Sequence, residues 1–409
     1  MFKAVRNLIA AGVTMLLIVA GCSSLSGSAV AGATGSHTYS IGLLTELTGL
    51  GASANRTSPL GLKAGTVLAS RDGYTIKYVV ADTTSTPAGA LAAAQKLVQQ
   101  DHVLAVIAIS GLTFAAAPFL ESQGVPVIGV AEDSSEWTTD TNMFSVSGAL
   151  HTNEVSTTEG QFFKMEGAKN LGTLGYAIVP SSKEAAESAA VSAQKAGVKA
   201  VYVNTSFPLG GTNVQPAALA MKSAGVDAVT STVEPNTAFA LVTALRQLGD
   251  NPKVTLLPDG YGGDLIEAGP EAVQEAQGDY FSLGFEPVEM HTAATMEFQK
   301  YLADAGVTGD PTYVEYNGYV AVGLLVEALK ATGPDPTHAS LIAALSKIHD
   351  WNALGLFGTH TLDINNRKTI VSGVGNCQWT TKFVGKTFHL VPGADPICGT
   401  VIPGVTVSP

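Results

Sequence analysis

Charge is scarce in this chain of 409 residues: Asp, Glu, Lys and Arg make up 14%, against roughly 25% in an average globular protein. Disorder needs high charge and low hydrophobicity. With 46% apolar residues, it is excluded for most of the length. Basic residues are the rarer sign, 22 against 34 acidic, for a net charge of −12. No run or stripe of Lys and Arg occurs, which removes the electrostatic footprint of a nucleic-acid binder. There are three cysteines and eight histidines. None forms a CxxC or HxxxH pair, so no zinc site is legible. A GxSxG elbow, a Walker A loop and HExxH are absent as well. No cofactor or metal is therefore expected. No apolar run reaches the roughly 20 residues that a membrane-spanning helix needs.

What is present begins at the N-terminus. Lys3 and Arg6 precede an apolar stretch of 13 residues, Leu8 to Ala20. That pattern predicts a signal peptide over residues 1–21. It ends Val19-Ala20-Gly21-Cys22, which resembles a bacterial lipobox, in which the cysteine is lipidated and heads the mature chain. An ordinary signal peptide followed by a chance cysteine is the alternative. Losing Lys3 and Arg6 takes the net charge from −12 to −14. Residues 22–37 are small and uncharged up to His37 and read as a flexible tether.

The body alternates strand and helix patterns. Residues 39–44, 74–81, 103–109 and 125–130 read as strands, separated by helical spacing over 60–69, 88–100 and 113–123. The apolar run 103–109 predicts a strand buried on both faces. The pattern restarts with helices at 154–167, 183–196, 214–224 and 236–248, and strands at 171–179, 198–203, 228–233 and 254–257. Helices follow at 316–332 and 338–348. The chain then turns β-rich, at 359–364, 369–374 and 382–390. Such a series predicts parallel sheets with helices on both faces. Cys377 and Cys398 remain after Cys22 and enclose 20 residues. Export favours a disulfide, worth about 3 kcal/mol in the chain-entropy model. Two reduced, buried thiols are the alternative.

In parallel sheets, ligands bind beyond the carboxyl ends of strands. Three such ends carry candidate residues. Ser110, Gly111 and Thr113 follow the third strand, where hydroxyls and a helix N-terminus could hold an anion or simply cap the helix. Glu132, Asp133 and Ser134 follow the fourth, as a polar cluster or a solvated loop. Asp259 and Tyr261 follow the 254–257 strand, where Asp259 could receive an ammonium and Tyr261 could wall a pocket. Glu132, Asp133 and Asp259 could form an acid/base pair, but nothing in the pattern sets them opposite one another.

The order of these elements resembles the type I periplasmic binding proteins, in the Leu/Ile/Val-binding group that serves ABC transporters. The likeness covers about residues 38–392. It rests on Ile41-Gly42-Leu43-Leu44-Thr45-Glu46-Leu47-Thr48-Gly49, on 106–113 followed by 126–130, on Leu257-Pro258-Asp259-Gly260, on Tyr316 in the long helix, and on Phe357-Gly358. The resemblance implies two Rossmann-like doubly wound α/β lobes joined by crossover strands and closing as a hinged clamp. Lobe I would hold 38–150 plus 286–352, and lobe II 151–285 plus 353–409. It also implies that Ser110, Gly111 and Thr113 face a ligand carboxylate and Asp259 an amine. Ser181 and Val233, with Glu234 beside it, fall where relatives commonly present aromatics. Glu132-Asp133 replaces small neutral residues and would repel an amino-acid carboxylate.

The function this implies is a lipid-anchored, extracytoplasmic, monomeric substrate-binding protein of an ABC importer rather than an enzyme. It would hand a small polar solute, an amino acid or an amide- or amine-like molecule, to a permease. The extra acids favour an amide or amine. A sensing lipoprotein or an extracytoplasmic hydrolase are the alternatives.

Overall fold

The computed structural model describes residues 37–131, 135–368 and 373–408. The export segment, Cys22, the tether up to residue 36, Glu132, Asp133 and Ser134 lie outside the described residues.

The first run comprises β1 (His37–Thr45), α1 (Ala52–Asn55), α2 (Ser58–Arg71), β2 (Tyr74–Asp82), α3 (Pro87–Gln99), β3 (Val106–Ile109), α4 (Ala117–Ser122), β4 (Val127–Gly129), α5 (Glu136–Thr139) and β5 (Met143–Ser145). Its strands pair in parallel in the order β2-β1-β3-β4-β5. The second run comprises β6 (Glu154–Ser156), α6 (Thr158–Met165), β7 (Asn170–Tyr176), α7 (Pro180–Ala196), β8 (Lys199–Phe207), α8 (Gln215–Ser223), β9 (Ala228–Thr232), α9 (Pro235–Gln247), β10 (Val254–Leu257), α10 (Gly263–Glu267), α11 (Pro270–Glu275) and β11 (Tyr280–Leu283). The chain continues through α12 (Ala293–Asp304), α13 (Tyr313–Lys330), α14 (His338–Leu345), β12 (Cys377–Val384), β13 (Thr387–Leu390), β14 (Ile397–Cys398) and β15 (Val401–Thr406). The second sheet runs β13-β12-β11-β10-β9-β7-β8, parallel from β11 to β8, with β12 antiparallel to β11 and β13 antiparallel to β12. The fold is thus α/β with two largely parallel sheets.

Local chemistry explains these elements. β3 and β4 are apolar throughout, β10 is apolar but for Thr255, and all three are buried along their whole length, as helices on both faces of a parallel sheet require. Thr86 caps α3 by accepting from the Gly89 amide, with Pro87 at the first position, the preferred start of a helix. Gly197 ends α7 in the left-handed conformation. α13 is buried on nearly every face and packs between α2 and the first sheet. The close α2–α13 approach requires glycine: a Cβ on Gly61 would lie 2.1 Å from the Glu315 carbonyl oxygen. The N-terminus of α13 carries a capping box of Thr312 and Glu315.

The C-terminal expectations needed most correction. Residues 359–364 form no strand, only an isolated bridge between Leu362 and Trp351. Residues 369–372 lie outside the described residues, and Val374 begins a 3-10 turn. The single strand expected over 382–390 is a hairpin of β12 and β13 that turns between Val384 and Thr387. Glu154–Ser156 is a strand rather than helix because it pairs with the distant β15. α12 and β11 carry no strong local signal and were not expected. Cys377 and Cys398 form a disulfide and are register partners of β12 and β14.

Candidate functional site

The carboxyl ends of the two sheets meet around one cavity of about 370 Å³, within the size range of small-ligand sites. From the first sheet come Glu46 after β1, Ser85 after β2, Gly111 and Leu112 after β3, and Ala131 after β4. From the second come Tyr176 closing β7, Leu209 after β8, Thr232, Val233 and Glu234 around the end of β9, and Asp259 after β10. One face of α7 (Ser181, Ser182, Ala185, Ser188 and Ser192) lines the cavity along its length, and Thr152, Glu154, Ser156 and Glu159 close its far part.

The candidates divide clearly. Gly111, Ser181, Glu234 and Asp259 line the cavity. Gly111 faces Val179 across it, where a Cβ would find nothing nearer than 3.9 Å. Ser110 and Thr113 are fully buried, and their hydroxyls are spent on protein partners. The Ser110 hydroxyl donates to Glu46 Oε1 at 2.7 Å, and the Thr113 hydroxyl donates to the Ser110 carbonyl oxygen at 3.0 Å. Tyr261 does not wall the cavity. It is 1% exposed, packs against Phe388, and donates its hydroxyl to Glu289 Oε2 at 2.6 Å. The apolar aromatic cluster beneath the strand end captures its ring. Gly260, with φ +97°, makes the turn that leaves Asp259 at the cavity and Tyr261 in the core.

Sequence reasoning passed over Glu46, Glu154, Glu159 and, apart from Ser181, the serine face of α7. Glu46 stood in a quoted motif, directly after an apolar strand, which was signal enough. Ser181, Ser188 and Ser192 recur at helical spacing on a face that a buried helix would make apolar. Glu159 had no local signal. It reaches the cavity because Gly160 lets α6 abut α7, where its amide donates to Ser192 Oγ at 2.9 Å and a Cβ would strike the Ser192 carbonyl.

Electrostatically the site is one-sided. Glu46, Glu154, Glu159, Glu234 and Asp259 line it, and no Lys, Arg or His does so among the described residues. Burial raises the carboxyls of Glu46, Glu159, Glu234 and Asp259 to about 7, because a low-dielectric surround disfavours the charged form. Asp259 adds repulsion at Glu234. Glu46, 3% exposed, has both oxygens engaged, by Ser110 and by Asn55 Nδ2 at 2.8 Å. Glu234, 5% exposed, has its amide donating to the Tyr176 hydroxyl at 3.2 Å, and Oε1 accepts from Thr237. Its Oε2 has no hydrogen-bond partner among the described residues. A buried unpaired carboxylate oxygen costs stability unless something supplies a donor.

Residues 38–380 match the model of a family described as periplasmic binding protein. Among solved structures, a possible leucine/isoleucine/valine-binding protein from Rhodopirellula baltica SH 1 superposes with a TM-score of 0.73 at 16% identity, covering 88% of this chain and 98% of that one. A solute-binding protein of an ABC transporter from R. palustris, in complex with 4-hydroxybenzoate, gives 0.70 at 19% identity, covering 91% and 97%. The branched-chain amino acid transporter substrate binding protein of Streptococcus pneumoniae, in complex with isoleucine, gives 0.69 at 21%, covering 89% and 99%. A comparison with curated sequences finds no match. The family binds small solutes rather than turning them over and works with ABC transporter permeases. No described helix is long and apolar enough to cross a membrane. The chain belongs to the periplasmic binding protein family, with the type I fold of the Leu/Ile/Val-binding proteins.

Proposed function

We propose that this chain is the lipid-anchored, extracytoplasmic substrate-binding component of an ABC importer, tethered through Cys22, and that its solute is cationic or amide-bearing. The two lobes, 38–150 plus 286–352 and 151–285 plus 353–409, close on the solute and present it to the permease. Gly111, Ser181, Glu234 and Asp259 contact it, together with Glu46.

The observation that carries the solute class is the lining: five carboxylates, no basic side chain among the described residues, and an unpaired Glu234 oxygen. An amino acid or aromatic acid would bring its carboxylate against Glu46, with the Ser110 and Thr113 hydroxyls already spent. An ammonium or amide N–H instead supplies the donor that Glu234 lacks.

Calorimetry against amines, amides, amino acids and aromatic acids tests the solute class. Amines or amides are expected to bind, with affinity lost in Glu234→Gln. Tight leucine binding that is indifferent to Glu234→Gln and Asp259→Asn overturns it. Metabolic labelling with radioactive palmitate, abolished by Cys22→Ala, tests the anchor.

A further inference from the structure

Away from the cavity, one corner of the second sheet gathers three side chains of the kind that ligate metals. Cys377 opens β12, Cys398 closes β14, and His360 stands in the loop that follows Phe357-Gly358. One ligand atom from each, two Sγ and a ring nitrogen, lies within 4.8 Å of the other two. Nothing in their spacing along the chain announces the cluster. It exists because β12 and β14 pair antiparallel with the two cysteines as register partners. The His360 ring stands edge-on to the buried Trp379, with 84° between the planes.

The space between sulfur and imidazole is kept open. Gly375, with φ +61°, turns the chain there. A Cβ on it would lie 3.5 Å from Cys377 Sγ and 3.8 Å from His360 Nδ1, so a larger residue would fill the gap that a cation needs. Cys377 is buried, but His360 is half-buried and Cys398 exposed, so the corner is reached from solvent. Two sulfurs and one imidazole are a donor set for zinc with an open fourth position. Tetrahedral zinc holds such atoms about 3.5–3.8 Å apart. His360 therefore has about 1 Å to travel, which a half-buried side chain has room for.

While the disulfide stands, neither sulfur is a thiolate and the site is closed. We propose that reduction of Cys377–Cys398 by a dithiol reductant opens a Zn²⁺ site held by Cys377 Sγ, Cys398 Sγ and a His360 ring nitrogen, with water in the fourth position. The reductant gives up two electrons and two protons and closes into its own disulfide. The Cys377–Cys398 bond breaks to two thiols, and Zn²⁺ then displaces both thiol protons to solvent. The metal takes over the tie that the disulfide made between β12 and β14. That tie bears on the cavity wall. Just beyond Cys398, the Thr157 amide donates to the Thr400 carbonyl oxygen at 2.9 Å and the Thr400 amide to Thr157 Oγ1 at 3.0 Å. β15 then pairs with β6, which supplies Glu154 and Ser156 to the cavity.

The test titrates the purified full chain with Co²⁺ and then Zn²⁺, both oxidised and after reduction by a dithiol removed without air. The reduced chain is expected to take up one Co²⁺ with the visible absorption of a tetrahedral site and a thiolate charge-transfer band, both erased by one Zn²⁺. The oxidised chain is expected to show neither. His360→Ala should weaken Zn²⁺ at least tenfold, since even an outer partner of a metal ligand is worth that much. Circular dichroism follows the fold. Where reduction loosens the C-terminal strands, Zn²⁺ is expected to restore the spectrum of the unaltered chain and not that of His360→Ala. A folded reduced chain that takes up no Zn²⁺, a loosened one that Zn²⁺ fails to restore, or a His360→Ala variant that binds as tightly as the unaltered chain overturns the site. Uptake of equal strength by the oxidised chain places the cation elsewhere and overturns it as well.

Discussion

Raising the pH from 6 to 8 is expected to tighten ligand binding steeply. Glu234 and Asp259 hold their protons up to about pH 7 in the empty protein because burial disfavours their charge. A bound ammonium needs them ionised. A group that titrates near 7 is about 90% protonated at pH 6 and about 10% at pH 8, so each carboxylate that must ionise contributes about a tenfold change in affinity. If both contact the ammonium, the change approaches a hundredfold. The assay is calorimetry in buffers of different ionisation enthalpy, which counts protons released on binding as well as affinity. At pH 6 about one proton per contacting carboxylate is expected to leave. Glu234→Gln should remove one tenfold step and its proton. Affinity that is flat across this range, or that falls as pH rises, would refute the reasoning: protonated carboxyls would then be donating to a neutral acceptor.

Three further outcomes follow from the same structure. The raised carboxyl of Glu234 makes the empty protein bind more protons than the unfolded chain between its usual pKa of 4.5 and about 7, so stability rises as pH falls through that window. Glu234→Gln should raise the unfolding free energy at pH 8 by up to about 3 kcal/mol, at roughly 1.4 kcal/mol per pKa unit, and much less at pH 5; equal gains at both values would contradict the assigned cause. Gly61→Ala drives a Cβ to 2.1 Å from the Glu315 carbonyl and should cost about 1–3 kcal/mol by denaturant titration; an unchanged midpoint would show that α2 and α13 can separate freely. Reducing the Cys377–Cys398 bridge, whose cysteines are 21 apart in sequence, should lower stability by about 3 kcal/mol, with non-reducing mass analysis confirming the starting bond.

Much of the fold was legible because it is written in short-range pattern. The apolar runs of β3 and β4, the largely apolar β10, the Pro-opened helices and the Gly197 stop follow from burial on both faces and from local backbone chemistry. Of the strand ends singled out as ligand-facing, those after β3 and β10 contribute Gly111 and Asp259 to the cavity, since parallel sheets leave their carboxyl ends open. The misreadings fall where a distant partner overrides the local preference. Glu154–Ser156 has helical spacing but pairs with Val401–Thr406, and Tyr261 is a loop residue drawn into an aromatic cluster.

The sequence alone settled the α/β class, the strands β1 to β4 and β7 to β10 in their order, and the shortage of positive charge. Each depends on composition and spacing within a few residues. Which carboxylates share a cavity was settled only by tertiary packing. Glu46, Glu159, Glu234 and Asp259 come from separate elements of two sheets, and no pattern along the chain relates them. Folding brings them together, excludes water from around them and so raises their proton affinity. That collective desolvation is a property of the assembled walls, and no short stretch of the chain carries it.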